Sequence, residues 1–307
     1  MDMRALLKLI GLLLIIGVVA LAFTFTPQTL AVPQTAAIVL PQPRPPEGMT
    51  LAVMQAGNMK AQSFFMFRGG GFGEYTSGMA GILVRHPQGL LLFDAGFGTD
   101  VAEHIKTMPK LMQLTTRYER EATVAAQLHA HGIEPGMLTA VIPTHAHWDH
   151  VSGIADLPGA PVWLSKAEAD FVASDAPMAA LAHRLIPKPV IYNFNSLPYL
   201  GFEQCRDIFG DGSVVLVPAP GHTPGSIIAF INTPDGKHYA LLGDTVWATE
   251  GVTLPAERPW LPRHLVDADA EGVRKVILQL HAIKQAMPDL ILVPAHDRRV
   301  LETLPPL

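Results

Sequence analysis

From residue 50 onward the chain alternates short apolar runs with turn residues, and the runs have strand and helix lengths. Residues 50–56 and 63–67 read as strands, with Gly57-Asn58 as a turn between them. Residues 79–85 and 89–93 read as a strand pair, and Asp94 follows as a carboxylate expected to brace a loop. Residues 100–112 and 117–131 have helical spacing, the second stopped by Gly132 and Pro135. A strand at 138–142 leads into a polar loop. Strands at 161–164 and 189–192 flank a helical stretch at 166–185 that is rich in Ala and Met. The second half repeats the logic, with a strand at 213–217 and a hairpin of 227–231 with 237–242. A long amphipathic helix at 268–287 precedes a last strand at 290–293. Strands then helices, twice over, predict an α/β fold of two sheets with helices outside.

The N-terminus departs from this pattern. Residues 9–26 are uncharged and strongly apolar, with Arg4 and Lys8 before them. About 18 such residues suffice to cross a bilayer as a helix. The flanking charges predict a cytoplasmic N-terminus and an exported body, on the periplasmic side of a bacterial-type inner membrane. The alternative is a signal peptide cut after Ala22 or Ala31, which would release a secreted body. Residues 27–48 carry prolines at 27, 33, 41, 43, 45 and 46, and read as a spacer; an ordered arm on the domain is the other reading. The expected organisation is therefore a signal anchor or signal peptide at 1–26, a linker at 27–49 and one catalytic domain at 50–307.

Composition narrows the function. A net charge of −5 with no long basic run argues against a nucleic-acid surface. Cys205 is the only cysteine, so no intrachain disulfide forms, and no local pattern marks it as a nucleophile. The run Gly69-Gly70-Gly71-Phe72-Gly73 lacks the Gly-Lys-Ser/Thr ending of a phosphate loop and reads as a flexible loop.

The chemistry gathers at strand ends. After the strand at 138–142 comes His145-Ala146-His147-Trp148-Asp149-His150, four potential metal ligands within six residues. Imidazole and carboxylate donors at such spacing suit zinc or a similar divalent ion. Later strand tips deliver His222 in Gly221-His222-Thr223-Pro224-Gly225-Ser226, Asp244 after Gly243, and His296 in Ala295-His296-Asp297. His129 and His131 lie in a helix-like stretch and are not expected to be ligands.

These four elements, in this order and spacing, resemble the metallo-β-lactamase-fold hydrolases, and the resemblance covers about residues 50–300. It implies a four-layer αββα sandwich with two divalent metal ions, zinc foremost, at one edge. Carried over residue by residue, His145, His147 and His222 would hold one metal. Asp149, His150 and His296 would hold the other, with Asp244 bridging. A metal-bound hydroxide, oriented by Asp149, would attack a small-molecule lactone or other carboxylic ester. An aspartate at 244 resembles lactonases, glyoxalase II enzymes and phosphodiesterases rather than β-lactamases, which usually place cysteine or serine there. The loop around His222 and the pair His296-Asp297 look most like the N-acyl homoserine lactonase-like branch. That branch often carries a tyrosine three residues after the bridging aspartate; here Trp247 stands in its place and is a candidate substrate contact. Alternatives are a phosphodiester hydrolase and a mono-iron oxidoreductase of persulfide-dioxygenase type, built on His145, His147 and His222 or Asp244. Phe64, Phe65, Phe67, Tyr75, Met79 and Arg263 are further candidates for the pocket rim.

Overall fold

The computed structural model describes residues 3–34 and 37–307. Its strands are β1 (Thr50–Gln62), β2 (Glu74–His86), β3 (Gly89–Phe93), β4 (Arg117–Arg120), β5 (Ala140–Ile142) and β6 (Trp163–Ser165) in the first half. The second half contributes β7 (Val190–Tyr192), β8 (Arg206–Asp207), β9 (Val214–Pro218), β10 (Ile227–Asn232), β11 (His238–Gly243) and β12 (Ile291–Pro294). One five-stranded sheet has the order β4-β1-β2-β3-β5 and the other β12-β11-β10-β9-β8. Each is an antiparallel meander closed by one parallel pair, β3 with β5 and β11 with β12. The strands β6 and β7 form a separate parallel pair.

Alternation along the strands builds the layers. Leu91 and Phe93 face Leu216, Ala229 and Leu241 in a core between the two sheets. Leu92 points the other way and packs with Val124, Leu128 and Val151 from helical segments outside the first sheet. On the second sheet Val215, Val217, Phe230 and Leu242 meet Val273, Val276, Ile277, Leu280 and Ile283 of the helix Ala270–Ala286. That helix starts at Asp269, whose carboxylate accepts from the Glu271 amide. The order of layers is αββα, as the pattern and the resemblance predict.

Several local expectations are corrected. Gly57-Asn58 is not a turn, because β1 runs through it with a bulge between Gln55 and Gly57. Gly57 sits there at φ 153°, and a Cβ would fall 2.5 Å from the Glu119 carbonyl oxygen. Residues 63–65 form a 3-10 turn, not a strand; the Ser63 amide and hydroxyl both donate to Gly73 O, at 2.8 and 3.0 Å, and close the loop 63–73. Residues 117–120 form the exposed edge strand β4 beside β1, and only Val124–Ala130 is helical. The helix expected at 100–112 breaks before Pro109, and the one at 166–185 divides into Lys166–Val172 and Ala180–Leu185 around Pro177.

At the N-terminus a helix spans Met3–Phe23, and none of its residues is buried. It is long and apolar enough to cross a membrane. The proline-rich stretch expected to be a spacer instead lies along the body. The Leu30 amide donates to Pro255 O and the Arg44 amide to Asp211 O, each at 2.8 Å, and Leu30 and Ile38 pack on the outer core of the second sheet. Residues 35 and 36 of that stretch lie outside the described residues.

Candidate metal centre

Four chain segments converge at the same edge of the sandwich. After β5, Pro143 and Thr144 lead into a bent loop that brings the rings of His145 and His147 together, 4.6 Å apart between centres. A one-turn helix, Trp148–Val151, then turns Asp149 and His150 toward an adjoining point. His222 follows β9, Asp244 follows β11 and His296 follows β12. All seven side chains are buried.

Ligand atoms of His145, His147 and His222 lie within 4.8 Å of one another, as do those of Asp149, His150 and His296; His145, His150 and Asp244 form a third, overlapping group. His147 Nδ1 is 2.9 Å from His222 Nε2. Asp244 Oδ1 is 3.1 Å from His150 Nε2 and 3.0 Å from His296 Nε2, while its Oδ2 is 3.5 Å from His222 Nε2. His145 Nε2, His150 Nε2 and Asp244 Oδ1 are buried without a hydrogen-bond partner. The close approach of His150 Nε2 to Asp244 Oδ1 is therefore not aligned as a hydrogen bond. Buried polar atoms without a partner, gathered at common points, cost stability unless a cation meets them, so the donor set fits bound metal.

The outward-facing ring nitrogens are held by partners that fix tautomer and orientation. His150 Nδ1 is 3.0 Å from Asp94 Oδ2, and Asp94 Oδ1 also accepts from the Thr144 amide at 2.7 Å. Asp94 thus has the bracing role expected of it. His296 Nδ1 donates to Gly78 O at 3.0 Å, and His222 Nδ1 lies 2.7 Å from Asp267 Oδ1. Asp267 is in turn paired with the buried Arg258, whose Nη1 donates to Asp244 O at 2.7 Å. Neither Asp267 nor Arg258 has a sequence signal, since they lie far from the motifs they serve.

Glu168 was also missed. It is 2% exposed. Its Oε1 accepts from the Ala146 amide at 2.5 Å, and its Oε2 from the Thr223 hydroxyl at 2.7 Å and the Gly225 amide at 3.0 Å. One carboxylate thereby ties both histidine loops together. A weak signal existed in Ser165-Lys166-Ala167-Glu168, which has the form of a capping box. Ser165 Oγ does accept from the Glu168 amide, but the glutamate side chain turns to the ligand loops. Gly225 belongs to this arrangement, because a Cβ there would lie 2.1 Å from the Glu168 nitrogen.

Burial keeps His145 and His147 neutral, the latter lowered to about 3, so their lone pairs are free. Burial also disfavours charge on His150 and His296, but the surrounding carboxylates outweigh it: Asp94 and Asp244 raise His150 well above its usual value, and Asp244 and Asp149 raise His296 to about 10. Asp244 is held well below the usual carboxylate range, burial being overcome by His296 and His150. A cation coordinated at these nitrogens expels the protons they otherwise carry. Zinc uptake by chelator-stripped protein at pH 7 should therefore release protons, and apparent zinc affinity should rise with pH. A zinc titration in weak buffer with an indicator dye measures this, and zero proton yield contradicts it.

Residues 81–296 match the family model described as the Metallo-beta-lactamase superfamily. The chain belongs to that superfamily. It is a metal-dependent hydrolase, and its relatives agree. A probable metallo-hydrolase of Mycobacterium tuberculosis is 30% identical over 235 residues, covering 70% of this chain and 73% of the relative. The N-acyl homoserine lactonase AttM of Azorhizobium caulinodans is 25% identical over 209 residues, covering 65% of this chain and 77% of the lactonase. Among solved structures, an N-acyl homoserine lactone hydrolase with N-hexanoyl-L-homoserine at its catalytic metal centre superposes with a TM-score of 0.66. It is 17% identical and covers 84% of this chain and 96% of its own, a likeness of fold.

Within this superfamily fold, a cavity of about 130 Å³ opens over the cluster. His147, Asp149, His222, Asp244 and His296 form its floor, and Met59, Phe65, Met66, Met112, Leu261 and Leu265 are among its apolar walls. Trp247 also lines it. Its Nε1 donates to Asp244 Oδ2 at 2.8 Å, and the Arg258 guanidinium lies 4.7 Å from its ring centre. Of the other rim candidates only Phe65 reaches the cavity. Tyr75 is buried behind Trp247, Met79 is in the outer core of the first sheet, and Arg263 pairs with Glu257. Cys205 is buried in an apolar cluster, away from the cavity.

Proposed function

We propose that the protein hydrolyses a lactone or other carboxylic ester carrying an apolar chain, with two divalent cations as cofactors. His145, His147 and His222 hold one cation, and Asp149, His150 and His296 hold the second. Asp244 lies between them. The mixed imidazole and carboxylate donors favour zinc. The observation that carries this reading is the placement of Asp244, with Oδ1 toward His150 and His296 and Oδ2 toward His222. When bound, such a pair supplies a nucleophilic water at neutral pH and Lewis acidity at the carbonyl.

The chain's own residues then position the reactants. Asp149 faces the cavity as well as the cluster and orients the attacking water. The apolar walls take the substrate's hydrocarbon part and exclude bulk water. Trp247 fixes Asp244 through its indole N–H, which is a donor only. Trp247→Phe removes that charge-assisted bond, and kcat/KM should fall about 10- to 100-fold with metal content kept. An unchanged kcat/KM would show that the indole acts only as packing.

The function test is a substrate panel of lactone, aryl ester, phosphodiester and cephalosporin, with metals counted per chain. Fastest turnover of the lactone or ester with two zinc ions supports the proposal. A preferred phosphodiester, or a single iron, rejects it. The helix Met3–Phe23, with Arg4 and Lys8 in its first half, supports a membrane anchor with the catalytic body on the exported side. The acidic balance supports a small-molecule substrate rather than a nucleic acid.

A further inference from the structure

The end of the apolar helix is fastened to the wall of the catalytic cavity. Arg68 makes the fastening: its Nη2 donates to Phe23 O at 3.1 Å and its Nε to Thr26 O at 3.2 Å, while the Gly69 amide donates to Phe25 O at 3.2 Å. These are carbonyls at and just beyond the helix end, and an arginine there can place its charge at a headgroup level. Aromatic contacts continue the connection. Phe25 lies 5.4 Å from Phe64 and 6.0 Å from Phe65, ring centre to ring centre. Phe65 and its neighbour Met66 line the cavity. The Phe64 ring centre in turn lies 5.7 Å from that of Phe72, a residue 96% exposed in the loop 63–73. No acidic residue occurs between Asn58 and Gly73. Leu111, another wall residue, is also exposed.

A helix of 21 residues is about 31 Å long, which matches the hydrocarbon thickness of a bilayer. Its C-terminal end therefore marks the outer interface, and the loop 63–73 is fastened at that level. We propose that this loop rests in the bilayer surface through Phe72 and Phe64, so that the cavity opens at the membrane and takes amphiphilic, long-acyl esters or lactones from the outer leaflet. This rests on the ester-hydrolase reading for the bond cleaved. It adds where the substrate comes from and why the walls are apolar.

The test uses the full chain in vesicles of phosphatidylethanolamine and phosphatidylglycerol. Cys205 is buried, so a nitroxide label goes to an introduced thiol in Phe72→Cys or, as a reference, in Asp235→Cys at the hairpin turn far from the site. The label at 72 should collide with dissolved oxygen and be shielded several-fold from a water-soluble nickel chelate, and the label at 235 should do the reverse. Equal nickel access at both positions overturns the proposal, as does a mature chain that begins after Ala22 or Ala31. In kinetics, Phe72→Asp should lower kcat/KM about tenfold for a long-acyl ester held in the vesicles and leave a short, soluble ester unchanged. Equal effects on both esters, or none on either, overturn it. If neither ester is cleaved, the ester reading fails, and label depth still decides the membrane contact.

Discussion

His147→Ala should lower kcat/KM on the best substrate by about a thousandfold or more, and reduce bound metal from the two ions proposed per chain toward one. His147 is 4% exposed and its Nδ1 lies 2.9 Å from His222 Nε2, so its loss removes a buried donor from the cluster. The fold should survive. The backbone carbonyl of His147, which alanine keeps, accepts from the amides of His150 and Val151 and starts the one-turn helix. The lost ring leaves only a small gap at a cavity wall. Metal analysis, circular dichroism and steady-state kinetics on one preparation separate loss of the ligand from loss of fold. Full activity in the variant would refute the assignment of this cluster as the reaction centre.

Glu168→Ala should be the most destabilising single change near the site. It leaves the Ala146 and Gly225 amides buried without an acceptor, and leaves the Thr223 hydroxyl with Ser226 Oγ alone, at 2.7 Å. Breaking a buried charged network on one side costs about 3–5 kcal/mol. For a body of this size that is roughly a 10 °C fall in melting temperature. Metal affinity should fall too, because the two loops lose their common tie. Burial raises the Glu168 carboxyl from 4.5 to about 7, against the pull of its three donors. The native state then binds more protons than the unfolded chain between those values. Its contribution to stability therefore falls as pH rises from 4.5 to 7, and Glu168→Gln should remove that slope. Thermal melts of metal-free wild type and both variants across that range provide the check. A Glu168→Ala melt within a degree or two of wild type would sink the idea of a central tie.

The residues gathered at the centre are legible because each proposed ligand sits in a short motif at a strand tip. The pattern from His145 to His150 needs only local backbone geometry, a bent loop and then one helical turn, to aim its side chains. The supporting layer was not legible. Glu168 and Asp267 reach their histidine loops across 22 to 55 residues, and Arg258 reaches the Asp244 carbonyl across 14, so only the packed fold brings them together. Similar reasons explain the strand errors. Gly57 reads as a turn glycine, but it serves a close approach of β1 to the Glu119 backbone. The strand β4 reads Arg-Tyr-Glu-Arg, exposed at every position, so no apolar alternation marked it. Its pairing comes from the β1 edge and from contacts such as Lys60 with Glu119 at 3.1 Å.

The two sheets have one further consequence. The first half of the chain carries His145, His147, Asp149 and His150, and the second carries His222, Asp244 and His296. Each proposed ligand set therefore draws on both halves, and neither half owns a complete one. A chain divided in the connection between β7 and β8 would give two inert fragments. Turnover would return only when both sheets came together face to face, which makes catalysis itself a reporter of their reassembly.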